Sequence, residues 1–194
     1  MTAAERMVMR RARRLSRGFT LVELAVVVTI IGILAVLAVA GYRRLVTSSH
    51  TTEATEMVNA IKVAQESYHA ETGQYANVSA GLGLGNLYPA ATPVSTSAVA
   101  WGGTCASCPD PAGWQKLPVK ASGPMRFGYA TVAGSLNQAL PAAPVAGMTF
   151  PANNQLTGDW FVINAMGDMD GNNVYCDVVG VSWQRDLYIE HDGE

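Results

Sequence analysis

Charge is scarce in this chain of 194 residues, where Asp, Glu, Lys and Arg make up 14% of positions, and so are the residues from which catalytic sites are usually built. There are three cysteines, Cys105, Cys108 and Cys176, and three histidines. No H-E-x-x-H, G-x-S-x-G or P-loop pattern occurs, which leaves zinc peptidases, α/β-hydrolases and P-loop nucleotidases without a sequence basis. His50 and His69 fall in a helical stretch, and His191 sits in the acidic tail 190–194, which reads as a solvated end. Cys105-x-x-Cys108 has too few companion ligands for a zinc site and lacks the βαβ setting of a redox motif. Nothing in this inventory indicates an enzyme.

Six of the thirteen basic residues lie within the first seventeen positions. Arg6, Arg10, Arg11, Arg13, Arg14 and Arg17 precede an apolar run over 24–41, in which only Thr29 has a side chain able to form a hydrogen bond. Those eighteen residues span roughly 27 Å as a helix, close to the thickness of a bilayer core. Many are β-branched, as in Val26, Val27, Val28, Ile30, Ile31 and Ile33, but the run is far too long for a strand. Positive charge before the run, against only Arg43 and Arg44 soon after it, keeps the N-terminus cytoplasmic and sends the remainder across.

Glu23 stands at the lip of this segment, where an ionised acid is expensive. It calls for a cation, and Arg17 is the nearest one before it. A cut between Gly18 and Phe19 would create an α-amino group four residues ahead of Glu23, one helical turn away on the same face. At about 4 Å and an effective dielectric near 20, such a pair is worth on the order of 4 kcal/mol before desolvation.

The stretch Arg17-Gly18-Phe19-Thr20-Leu21-Val22-Glu23-Leu24, followed by Ile30-Ile31-Gly32-Ile33-Leu34-Ala35, resembles the N-terminus of type IV pilins and their pseudopilin relatives. That resemblance implies cleavage after Gly18 by a prepilin peptidase and methylation of Phe19. It implies further that Glu23 pairs with a neighbouring subunit's N-terminus during assembly. The implied partners are other pilin subunits, the peptidase, and an inner-membrane assembly platform with its ATPase motor. The implied location is the inner membrane first, then an extracellular or periplasm-spanning filament.

Two departures from the commonest pattern favour a minor pilin or pseudopilin over a major shaft subunit. The leader is long, with Met7 and Met9 as other possible starts, and Ala40 stands where many major pilins have a kinking proline. A pseudopilin of type II secretion shares the same processed helix. A different reading takes Ala38-Val39-Ala40 as an ordinary signal-peptidase site, releasing a secreted calcium- or ligand-binding domain at Gly41. Losing residues 1–18 removes six arginines and Glu5 and moves the formal charge from −2 to −7, so no overall basic footprint for nucleic acid remains.

Beyond the apolar run, Met57, Ile61, Ala64 and Tyr68 form one apolar stripe, and Gly73 is placed to end the helix. The expected organisation is a basic leader over 1–18, an apolar helix over 19–45, an amphipathic continuation over 46–72 and a head over 73–194. Tyr68 to Tyr75 is similar to the helix exit of many pilins. Residues 76–124 are rich in Ala, Gly, Ser, Thr and Pro and read as a long loop, Gly81-x-Gly83-x-Gly85 included. Strand patterns at 126–132, 160–165, 174–183 and 187–189 predict an antiparallel sheet within 125–190. Together these give an α+β fold of the pilin type, with the long helix packed on a small sheet.

Three cysteines in an exported head suit an oxidising compartment. Cys176 lies in the strongest strand pattern and is expected to bridge to Cys105 or Cys108, with the pairing open. Asp168, Asp170 and Asn172 alternate oxygen-bearing side chains as the start of a calcium loop does, with Asp177 as a further candidate ligand. The glycine and glutamate positions of an EF-hand do not match, and an Asp/Asn/Gly turn explains the same residues without metal.

Overall fold

The computed structural model describes residues 18–93, 97–102 and 111–192. The leader arginines and the candidate disulfide partners Cys105 and Cys108 therefore lie outside the described residues. The chain divides into two compact units, Met1–Tyr42 and Arg43–Glu194.

Helix α1, Leu21–Thr72, contributes to both units. Its threonines sit comfortably in helical surroundings because Thr29 Oγ1 donates to Ala25 O at 2.8 Å and Thr52 Oγ1 to Ser48 O at 3.0 Å. Bonding back to the i−4 carbonyl leaves no hydroxyl unsatisfied in an apolar setting. The helix stops where the sequence places the stop: Gly73 follows with φ 76°, and its N–H donates to His69 O at 2.8 Å. This is a left-handed cap that a side-chain-bearing residue adopts only with strain. Within the N-terminal unit, every described side chain is exposed, and Leu21–Tyr42 is the one stretch among the described residues long and apolar enough to cross a bilayer.

The head is α+β. Two short strands, β1 (Val99–Ala100) and β2 (Pro124–Met125), pair antiparallel, with the four-residue helix α2 (Pro111–Trp114) between them in sequence. The main sheet is an antiparallel meander of β3 (Gly128–Gly134), β4 (Trp160–Gly167), β5 (Cys176–Val181) and β6 (Tyr188–Glu190), in that order. Register pairs include Thr131 with Ile163, Ile163 with Gly180 and Val178 with Ile189.

Alternation along each strand divides the sheet into two buried faces. Tyr129, Ala133, Phe161, Ile163, Ala165, Cys176 and Val178 face a core shared with Ala54, Met57, Val58, Ile61 and Ala64 of α1. Ala130, Trp160, Val162, Val179 and Val181 face a second core, closed by Leu82, Leu87 and Val145 from the long loops. Burial on both faces explains why β4 and β5 read as continuous apolar runs rather than alternating ones. The predicted stripe Met57, Ile61, Ala64 and Tyr68 meets the first face, with Tyr68 half-buried at its end. Gly180 lets the helix come close, since a Cβ there would meet Val58 Cγ1 at 2.8 Å.

The loop layer is held by backbone as well as by apolar contact. Ser79 N donates to Thr131 O at 2.9 Å, and Tyr88 and Tyr129 exchange both backbone hydrogen bonds at 2.8 and 2.7 Å. Around Tyr88, the rings of Trp101 and Trp114 pack at centroid distances of 5.0 and 5.6 Å, a compact aromatic clasp over the loop. Gln65 is a further tie. This fully buried amide donates to Ala76 O at 2.8 Å and Thr131 Oγ1 at 3.0 Å, and accepts from Ala76 N at 2.8 Å.

Candidate functional site

The chemistry foreseen for this chain centres on Gly18, Phe19 and Glu23, and the structure adds Thr20 to them. The helix begins at Leu21, so Thr20 is its N-cap and Glu23 its third residue. Thr20 Oγ1 accepts from Glu23 N at 3.2 Å, while Glu23 Oε2 accepts from Thr20 N at 2.9 Å and from Thr20 Oγ1 at 2.8 Å. This is a reciprocal capping box: two otherwise orphaned amide donors at the helix start are satisfied, and the acid lies where the helix dipole favours negative charge.

The reading of Glu23 as an acid in want of a cation therefore omits a neighbour. Within one chain its Oε2 is already engaged, by a threonine three residues away. The Ser/Thr-x-x-Glu spacing of Thr20 and Glu23 is the signal that would have found it. Gly18 and Phe19 precede the first helical turn and are exposed, so the peptide bond between them is accessible. A Cβ built on Gly18 meets nothing within 4 Å, and Gly18 has no left-handed φ. Any requirement for glycine at 18 thus comes from outside the chain.

Outside this segment, the candidate residues separate. Asp168 closes a turn: its Oδ1 accepts from Gly171 N at 2.7 Å and its Oδ2 from Asn173 N at 3.1 Å. Asp170 accepts from Asn172 N at 3.0 Å and from Asn172 Nδ2 at 2.9 Å. Asp177 lies on β5 in register with Met166, and its Oδ1 accepts from Asn164 Nδ2 at 3.1 Å. The turn's carboxylates are engaged by its own N–H groups, with Gly171 and Asn173 at positive φ. Among the described residues, no three His, Cys, Asp or Glu side chains are grouped to hold a metal ion. The calcium expectation for Asp168, Asp170, Asn172 and Asp177 gains no ligand set here, and the Asp/Asn/Gly turn accounts for the loop.

Cys176 is buried on β5, and Cys105 and Cys108, the partners expected for it, lie outside the described residues. Its alternation on β5 turns it toward α1, where burial pushes the thiol up to about 11 and a hydrogen bond with Thr51 partly offsets the shift. The histidines do not gather. His50 is 3.9 Å from Glu53, His69 stacks on Tyr75 at 4.4 Å, and His191 Nδ1 is 3.2 Å from Tyr175 O. Tyr75, beside them, donates to Glu66 at 3.2 Å, and its hydroxyl is pushed up to about 12 by burial first and the Glu66 carboxylate second.

The family described as the prokaryotic N-terminal methylation motif matches residues 13–39, which include Gly18, Phe19 and Glu23. The chain is 38% identical over 77 residues to the type IV major pilin protein PilA of Myxococcus xanthus, covering 38% of this chain and 35% of that protein. It is 35% identical over 72 residues to the fimbrial protein EcpC of Eikenella corrodens, covering 37% and 47%. A fimbrial protein of Pseudomonas aeruginosa is 47% identical over 51 residues, covering 26% and 33%. The matched stretch thus spans less than half the length of each of these relatives. No solved structure matches. The N-terminal segment that carries the motif, the capping box and the apolar helix is thus similar to that of type IV pilins and fimbrial proteins.

Proposed function

We propose that this protein is a structural subunit of a type IV pilus, a minor or pilin-like one. It is inserted in the inner membrane by the first part of α1, cut between Gly18 and Phe19 by a prepilin peptidase, and assembled through that helix with other pilin subunits and the platform and motor that drive them. Its work is mechanical, in adhesion, surface attachment or motility. The observation that carries this reading is the juxtaposition at the start of α1. An exposed Gly18–Phe19 bond lies immediately before a capped helix whose Glu23 is preorganised, and the following Leu21–Tyr42 finds no burial within its own unit.

The geometry suggests how cutting and assembly are linked. Before the cut, Glu23 holds the helix start through Oε2, and both Thr20 hydrogen bonds reach that same oxygen. The cut adds a charged α-amino group at Phe19, the cation that an acid at a membrane boundary lacks. A neighbouring subunit's amine then meets a carboxylate whose rotamer is already held, so less side-chain entropy is lost on pairing. Ala40, where many major pilins have proline, supports the minor assignment. Deleting the gene and scoring surface pili against protein secretion separates a pilus subunit from a type II secretion pseudopilin.

The processing step is tested with Gly18→Leu. Because the chain itself has room at 18, this variant is expected to fold and insert normally yet remain uncut, with lower mobility on a gel and no methylated Phe19 by N-terminal mass analysis. Wild-type mobility, or a mature end at Gly41, overturns the assignment.

A further inference from the structure

On the second face of the sheet, the buried Asn164 and Asp177 form an incomplete pair. Asn164 is fully buried in the middle of β4, and its Nδ2 donates both to Asp177 Oδ1 at 3.1 Å and to Leu82 O at 3.0 Å. Its Oδ1, equally buried, has no hydrogen-bond partner. Turning the amide over offers no remedy, because oxygen would then face the Leu82 carbonyl, acceptor against acceptor. A buried acceptor left unpaired costs about 1–3 kcal/mol. The pair thus lacks one donor.

We propose that the Asp177 carboxyl holds a proton and donates it to Asn164 Oδ1, closing an acid–amide ring that latches the Leu82 loop onto the sheet, and that the latch slackens when this proton is lost. A primary amide and a carboxylic acid are complementary: N–H to carbonyl one way, O–H to carbonyl the other. The first of these bonds is present, and protonation supplies the second. Asn164 then satisfies both its donors and its acceptor, with the remaining N–H on Leu82 O. Ionisation sets a carboxylate beside a buried carbonyl oxygen and removes the donor.

The surroundings favour the proton. Trp160–Gly167 contains no titratable side chain, and neither loop packed on this face contributes a charge, Tyr88 being the one ionisable group across 79–91 and 140–156. Glu190, opposite Asp177 in register on β6, opposes its ionisation, whereas nearby His191 favours it. Burial is the largest influence and raises the Asp177 carboxyl to about 6, against the hydrogen bond from Asn164. The sign follows. A folded-state value above the ordinary 3.8 means that the folded head binds this proton more tightly than the unfolded chain. The latch contributes fully below about pH 4 and is lost as pH rises through about 6. The latch belongs to the head and stands whether or not the chain enters a filament.

The test uses the full chain in detergent, comparing wild type with Asp177→Asn, whose amide mimics the protonated acid at every pH. Hydrogen exchange at the Gly85 and Tyr88 amides, corrected for intrinsic rate, is expected to lose up to roughly thirtyfold of its protection in wild type between pH 4.5 and pH 8. In Asp177→Asn the protection stays level. Independently, the ¹³C signal of the Asp177 carboxyl in the wild-type chain is expected to titrate near 6, which keeps the proposal testable if the variant does not fold. Parallel profiles for the two proteins, titration at the ordinary carboxylate value, or a titration that shifts on adding calcium overturns it.

Discussion

Both units are rich in apolar residues, but they place them oppositely. From Gly18 to Tyr42 every side chain is exposed in the single chain. Around the sheet, by contrast, Val58, Ile61, Phe127, Tyr129, Phe161, Ile163 and Val178 are buried completely. A β-branched run such as Val26-Val27-Val28 is not intrinsically a core, nor is Val178-Val179; geometry and partner decide. In the head, period-two alternation and a facing helix supply the partner from within the chain. In the first part of α1 no such partner lies within its own unit, and under the proposed function lipid or another subunit supplies it. The two regions should therefore fail differently when broken.

The sharpest break is Glu23→Ala. It removes the carboxylate from a pair worth on the order of 4 kcal/mol before desolvation, so incorporation into filaments should fall by at least tenfold and as far as about a thousandfold. Insertion, cleavage at Gly18 and unfolding of the head should be unchanged. Quantifying the variant in sheared filaments against total membrane protein checks this. Undiminished incorporation removes the assembly role of Glu23.

Ile61→Ala is the converse break. Ile61 is fully buried between α1 and the sheet, in a core with Met57, Val58 and Phe161. Truncating it should cost about 3 kcal/mol, through lost burial and the cavity left behind. Denaturant unfolding of the full chain in detergent, followed by Trp fluorescence, measures the loss. The fraction cut at Gly18 should not change, and a cleavage defect of the size of the stability loss would show that the two regions are not separable.

How much of this was legible in the sequence follows the same division. The apolar helix in the first part of α1 was legible, because length and composition are one-dimensional properties, and Gly73 marks the helix end by backbone conformation alone, whereas the capping box of Thr20 and Glu23 was missed. The four main strands were legible from their β-branched and aromatic runs. Gln65 was not: a polar residue on a helix reads as solvent-facing, and only the return of the chain at Ala76 and of Thr131 on β3 gives its amide three partners. The second core was hidden for a similar reason, since loops such as 79–91 have no period to reveal that Leu82 and Leu87 are buried. Nothing in the spacing of Asp177 reveals its hydrogen bond from Asn164, which depends on register with β4.

Thr20→Ala probes the boundary between the two behaviours and should have the smallest effect. Thr20 contributes its backbone N–H and its hydroxyl to Glu23 and accepts from Glu23 N in return. Alanine retains the first and loses the other two, which for an N-cap is worth about 0.5–2 kcal/mol of helix stability. That loss is confined to the first turn, where no packing depends on it, so unfolding of the head should be unaltered. Fraying frees the Glu23 rotamer and makes pairing with an incoming amine entropically costlier. Incorporation should then fall by a few fold, well short of the loss for Glu23→Ala, and Thr20→Ser, which keeps the hydroxyl, should restore it. If serine rescues nothing, the methyl group and not the cap matters at this position, and Glu23 needs no internal partner to be ready for its external one.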